Sequence, residues 1–95
     1  MNFSTFGRGG CVMPVVFREA GFRFHFYSSE GDPLEPAHIH VARPGGDAKL
    51  WLYPDVRIAY NRRLNPRELR LVQEIVIRRR QEIKDAWDAF FSGSH

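Results

Sequence analysis

The chain alternates between apolar and polar residues at two periods, and the two periods divide it in half. Phe22, Phe24 and Phe26 alternate with Arg23, His25 and Tyr27, which is the repeat of a strand. Val15–Arg18 before it, with a turn at Glu19-Ala20-Gly21, predicts a shorter strand. His38–Arg43 and Asp47–Tyr53 predict two more, joined through Pro44-Gly45-Gly46, and Val56–Tyr60 predicts a weaker fifth with Val56, Ile58 and Tyr60 on one face. From Asn65 the period changes. Asn65 stands as an N-cap, Pro66 occupies the first helical position, and Glu68 follows three residues after the cap. Leu69, Val72, Val76, Ile83, Trp87 and Phe90 then form one apolar arc as far as about Phe91. The expected fold is α+β: an antiparallel four- to five-stranded sheet packed on a long C-terminal helix.

A two-residue turn at Gly45-Gly46 would set the register of the central hairpin. Val41 would then face Leu50, Ala42 would face Lys49 and His40 would face Trp51. Ile39, Val41, Ala48, Leu50 and Leu52 would share the core side, and His38, His40, Lys49, Trp51 and Tyr53 the other. The expected core is Phe22, Phe24, Phe26, Ile39, Val41, Leu50, Leu52, Leu69, Val72, Val76, Ile83 and Trp87. An unbroken helix of about 26 residues would be roughly 39 Å long, more than a domain this small spans. It must bend near Arg78–Arg80, overhang the sheet, or pack on a second copy. Arg79 and Arg80 straddle the apolar arc and must snorkel or pair.

Composition narrows the class. At 95 residues the chain has room for one core, and 13 aromatics argue against disorder. The expected organisation is an N-terminal extension over residues 1–12, one domain over 13–91 and a short tail over 92–95. No apolar run is long enough to cross a membrane as a helix and no secretory signal is evident, so the expectation is a cytoplasmic protein without a membrane partner. The lone Cys11 can form no internal disulfide.

Charge is uneven. Residues 1–56 carry five Lys/Arg against six Asp/Glu, whereas residues 57–80 carry eight Arg against two Glu. Arg57, Arg62, Arg63, Arg67, Arg70 and Arg78 are therefore the candidate surface for RNA, DNA or an acidic protein, since guanidinium groups match phosphates and carboxylates. A solvated helix face is the competing reading. Leu71, Ile75 and Ile77 fall outside the main apolar arc and extend the candidate docking surface.

The His38-Ile39-His40 pair is the strongest chemical signal, because residues two apart on a strand point the same way. Three readings stay open. With Lys49 as a charge stabiliser, the pair could perform acid–base chemistry on RNA as a metal-independent ribonuclease, making His38, His40 and Lys49 the candidate catalytic residues. With His25 from a neighbouring strand it could bind zinc, although no metal or cofactor is assigned. In the third reading the imidazoles are structural. Glu30, Asp32 and Glu35, just before the pair, could bind a metal or orient a ring, or simply be solvated. Trp51 could stack a base, but packing on Trp87 or Phe90 is the favoured expectation.

Several segments resemble one family. They are Met13–Arg18, Gly21–Phe24, Tyr27–Pro33, Glu35–Val41, Ala48–Leu52, Asn65–Leu69 and Ala86–Phe91. Together they are similar to the bacterial domain of unknown function 4160 across residues 13–91, with Ala37 standing where a second proline is usual before the first histidine. The resemblance implies a toxin role in a type II toxin–antitoxin module, with an antitoxin of the domain of unknown function 2442 family as partner. A non-catalytic protein-binding or DNA-associated regulatory module, or a homodimer, is the alternative.

Overall fold

The computed structural model describes residues 13–31 and 34–92. Cys11 and Asp32, the extension over 1–12 and most of the expected tail lie outside the described residues. Five strands, β1 (Val15–Glu19), β2 (Phe22–His25), β3 (His38–Arg43), β4 (Gly46–Trp51) and β5 (Arg57–Arg62), form one antiparallel sheet in sequence order. Two helices, α1 (Pro66–Arg78) and α2 (Arg80–Ser92), follow. The fold is α+β, as the two periods predict. The β1–β2 connection is a two-residue turn with positive φ at both Ala20 and Gly21, the backbone twist that suits a tight hairpin.

The β3–β4 hairpin turns one position earlier than expected. Its loop residues are Pro44 and Gly45, with Gly45 at φ +81° and Arg43 paired with Gly46. Proline followed by a positive-φ glycine is the signature of a type II turn. Pairs therefore shift by two: Val41 faces Ala48, His40 faces Lys49 and His38 faces Trp51. A shift of two preserves the faces, because side chains alternate with period two. Ile39, Val41, Ala48, Leu50 and Leu52 are all fully buried on the helix side. On β5 the pairing does change parity. Lys49 faces Tyr60 but Leu50 faces Ile58, so Ala59 is an extra residue. Tyr60 joins the histidine face, and Ile58 does not share its side as the simple alternation had it.

The helix begins as the cap residues predict. Asn65 Oδ1 accepts the Glu68 N–H at 2.8 Å and Glu68 Oε1 accepts the Asn65 N–H at 2.9 Å. Glu68 also takes both Arg43 Nε (2.6 Å) and Nη2 (2.7 Å), which ties the helix start to the hairpin tip. The helix does not run unbroken. Arg79 leaves helical geometry at φ −106°, ψ 20°, and the chain turns there into α2. This corner is anchored. The Arg79 guanidinium lies 3.4 Å above the Phe17 ring and pairs with Glu19 (2.7 Å) and Glu82 (2.8 Å). Arg80 Nη1 donates to the Leu52 and Pro54 carbonyls, each at 3.3 Å.

The break explains two differences in the core. Taken alone, α1 buries Val72, Ile75 and Val76, a single i, i+3, i+4 stripe, so Ile75 belongs to the core and not to a docking face. Leu69, at the edge of that stripe, is only half-buried. α2 turns Ile83, Trp87 and Phe91 inward. Trp87 packs on Phe26, Phe91 and His38, with ring centres 5.3, 4.2 and 4.9 Å away. Trp51 does not join it. It lies half-buried against His38 on the other side of the sheet, under the Lys49 ammonium.

Because Trp87 is 3 % exposed, Trp87→Ala should cost about 3–5 kcal/mol of stability in urea unfolding. A near-neutral result would mean that α2 contributes little to the core.

Candidate functional site

The polar face of β3 is covered by the chain between β2 and β3. After Tyr27 a single 3₁₀ turn, Ser28–Glu30, carries the Glu30 carboxylate back over the strand. The Glu35 N–H bonds the Glu30 carbonyl at 3.0 Å, closing the loop on itself. Gly31 allows the close approach of α2, since a Cβ there would meet Phe91 Cδ1 at 2.6 Å. Glu30 is thereby buried, and its Oε1 accepts the Tyr27 N–H at 3.2 Å.

Both sequence-predicted histidines converge on this carboxylate. His40 Nε2 lies 2.6 Å from Glu30 Oε2, and His38 Nε2 lies 2.8 Å from Oε1. The His38 contact is off the line that a hydrogen bond requires, and His38 Nε2 has no hydrogen-bond partner. The outer nitrogens are also engaged. His38 Nδ1 donates to the Pro36 carbonyl at 2.9 Å, and His40 Nδ1 lies 3.4 Å from the Tyr60 hydroxyl. Burial raises the Tyr60 pKa, with the Asp47 carboxylate adding to it, so its hydroxyl keeps its proton.

His25 completes the row without joining the carboxylate. Its ring stacks on His40 at 5.6 Å and meets Tyr27 edge-on at 5.0 Å. Its Nε2 is buried with no hydrogen-bond partner. Lys49 shares the face, but its ammonium contacts Glu35 Oε1 (3.2 Å) and the Trp51 ring (4.4 Å).

This arrangement bears on the ribonuclease expectation. A general base must come within hydrogen-bond reach of the proton it takes. His38 is 0 % and His40 5 % exposed, and all their ring nitrogens face protein atoms. Two concavities among the described residues lie elsewhere. One, of about 300 Å³, is lined by Leu34, Trp87, Asp88, Phe91 and Ser92. The other, of about 330 Å³, is lined by Arg18, Gly21, Arg23, Ala42, Arg43 and Pro44. The histidine pair is built into the protein and is not presented at a cleft. Of its partners, Glu30 had a sequence signal in its place just before the pair. Tyr60 had none, because its facing depends on the extra residue at Ala59.

The candidate arginines do not form one surface. Arg62 lies over the Tyr60 ring at 4.5 Å, on the histidine side of the sheet. Arg57 pairs with Asp55 (3.4 Å) and Arg78 with Glu19. Arg63 sits at φ +70° in the turn after β5. Arg67 and Arg70 are exposed on the outer side of α1, across the sheet from Arg62.

Burial, with the positive charge of Arg23 and the neighbouring His40 ring adding to it, pushes the His25 imidazole down to about 4. The folded protein therefore prefers neutral His25. Its contribution to stability is full above the unfolded value of about 6.5 and is lost as pH falls through the interval down to 4. His25→Phe should remove on the order of 2–3 kcal/mol of acid sensitivity across that interval, read from urea unfolding at several pH values. Parallel curves for variant and wild type would assign the sensitivity to other groups.

No curated protein and no solved structure matches the chain. Among the described residues, no helix is long and apolar enough to cross a membrane. One family model does match, over residues 21–88, and its span takes in β2–β5, α1, the Glu30 turn and the histidine pair. The chain belongs to the family called Domain of unknown function (DUF4160).

Proposed function

We propose that this domain is a binding module, the protein-contacting half of a two-protein system of the toxin–antitoxin kind, and that it meets its partner through the outer face of α1. The observation that carries the reading is what this face exposes. Ile77 is 57 % and Leu71 38 % exposed, on the same stripe as Arg67 and Arg70. Among the described residues, neither of those arginines has an acidic partner. Large apolar side chains framed by unpaired guanidinium groups suit an acidic protein surface with an apolar centre. A nucleic acid is less well served, since the arginines are divided between two sides of the sheet and Arg57 and Arg78 already have carboxylate partners. Burial of the histidines favours the same conclusion, because a binding module needs no exposed proton carrier.

The partner proposed is an acidic protein of the domain of unknown function 2442 family. Titration calorimetry of the two purified proteins tests it. Ile77→Asp should weaken binding by at least about tenfold, a loss of about 1.4 kcal/mol. Arg67→Glu with Arg70→Glu should do the same and flatten the salt dependence, since exposed charges are screened beyond about 8 Å at physiological ionic strength. Binding that is indifferent to all three changes would remove α1 as the contact surface. Tight binding to RNA of the same α1 face, with no affinity for the protein partner, would replace this reading with a nucleic-acid one.

A further inference from the structure

The Glu30–His38–His40 cluster presents a problem in proton placement. A carbonyl oxygen only accepts, so the 2.9 Å contact with Pro36 puts a proton on His38 Nδ1. A neutral imidazole then carries a lone pair on Nε2, 2.8 Å from the Glu30 Oε1 carboxylate oxygen. Two acceptors face each other in a region where His38 is 0 % and Glu30 8 % exposed. Something positive must lie between them. A second proton on His38 would make the contact an ion pair, but one without a hydrogen bond between Nε2 and Oε1. A metal ion on the axis of the Nε2 lone pair, off the direct line between the two atoms, can accept from both.

We propose that Glu30, His38 and His40 bind one divalent transition-metal ion, zinc first among them, and that the ion pins the Ser28–Glu30 turn to β3. Each residue offers one ligand atom, and all three atoms lie within 4.8 Å of one another. Two imidazoles and a carboxylate are a zinc donor set that leaves a fourth position for a further ligand. The set is too rich in nitrogen for calcium or magnesium. The outer contacts fit as well. Metal-bound histidines pass their other ring N–H to a carbonyl, carboxylate or similar acceptor. His38 already does so to Pro36. His40 can do so to Tyr60, whose hydroxyl can accept as well as donate. Binding shifts the remaining His40 proton from Nε2 to Nδ1 and leaves both Nε2 lone pairs for the ion. Ligand atoms around tetrahedral zinc stand roughly 3.3 Å apart at bonds of about 2.0–2.1 Å. The Glu30 carboxylate must therefore withdraw by about half an ångström, which the short turn that carries it can allow.

The experiment uses the full chain, stripped with a chelator and titrated with Co²⁺ and then Zn²⁺. The expected result is one ion per chain, visible d–d absorption of a four-coordinate site without thiolate charge transfer, displacement by zinc, and a Tm that rises with zinc. Cys11→Ser should change none of this. His38→Gln and Glu30→Gln, checked for folding by circular dichroism, should lose stoichiometric binding. Tyr60→Phe should bind about 10–100-fold more weakly, as expected when an outer partner of a ligating histidine is removed. Stoichiometric binding that persists in folded His38→Gln overturns the proposal. Should the ligand variants fail to fold, the native chain decides. Absence of the cobalt spectrum and of any zinc-dependent Tm also overturns it.

Discussion

The middle strand of the sheet, β3, is covered on both faces, and the rest of the structure follows from that. On one side Ile39 and Val41, with their cross-strand neighbours Phe24, Ala48 and Leu50, share one buried core with Val72, Val76 and Trp87 of the helices. On the other side His38 and His40 are buried too. An apolar face can be covered by any apolar surface, but a buried imidazole needs a partner for each ring nitrogen. The chain between β2 and β3 meets most of that demand with the Glu30 carboxylate and the Pro36 carbonyl, and β5 adds the Tyr60 hydroxyl.

The demand reaches well beyond the strand. Holding Glu30 over β3 requires the Ser28–Glu30 turn, and that turn requires Gly31, because Phe91 of α2 packs against it. Trp87, one helical turn earlier, contacts both Phe26 and His38. The end of α2 thus closes the apolar core and the polar cluster together. Arg79 and Arg80 make this geometry accessible, since the corner they anchor brings α2 back across the sheet. Buried charges of this kind contribute little net stability, but removing one member strands the others at a cost of several kcal/mol. The cluster therefore specifies one conformation of the loop more than it strengthens the fold as a whole.

The outer face of α1 stands apart from this network. Arg67, Arg70, Leu71 and Ile77 are exposed, while Val72, Ile75 and Val76 on the opposite stripe hold the helix to the sheet. A partner could engage the outer stripe without disturbing the Glu30 cluster on the far side of the sheet. The two proposals, an acidic protein on α1 and a metal ion at Glu30, are therefore independent of each other.

Residue order alone determined whatever rests on local period and on short contacts. The strand alternation assigned Ile39, Val41, Ala48, Leu50 and Leu52 to the core and His38 and His40 to the other face. That assignment does not depend on which two residues form the turn, because moving the turn by one position shifts the pairing by two and side-chain parity has period two. Asn65, Pro66 and Glu68 marked the helix start because a cap satisfies its own neighbours. Tertiary structure decided the rest. Tyr60 faces the histidines only because β5 carries an extra residue against β4, a property of two strands and not of one. Ile75 became core when the helix broke at Arg79, since the break gave each helix its own apolar stripe. Above all, the alternation that placed the imidazoles on the second face was silent on whether that face meets solvent. Coverage depends on where a loop and a second helix come to rest, and those contacts join residues far apart in the chain.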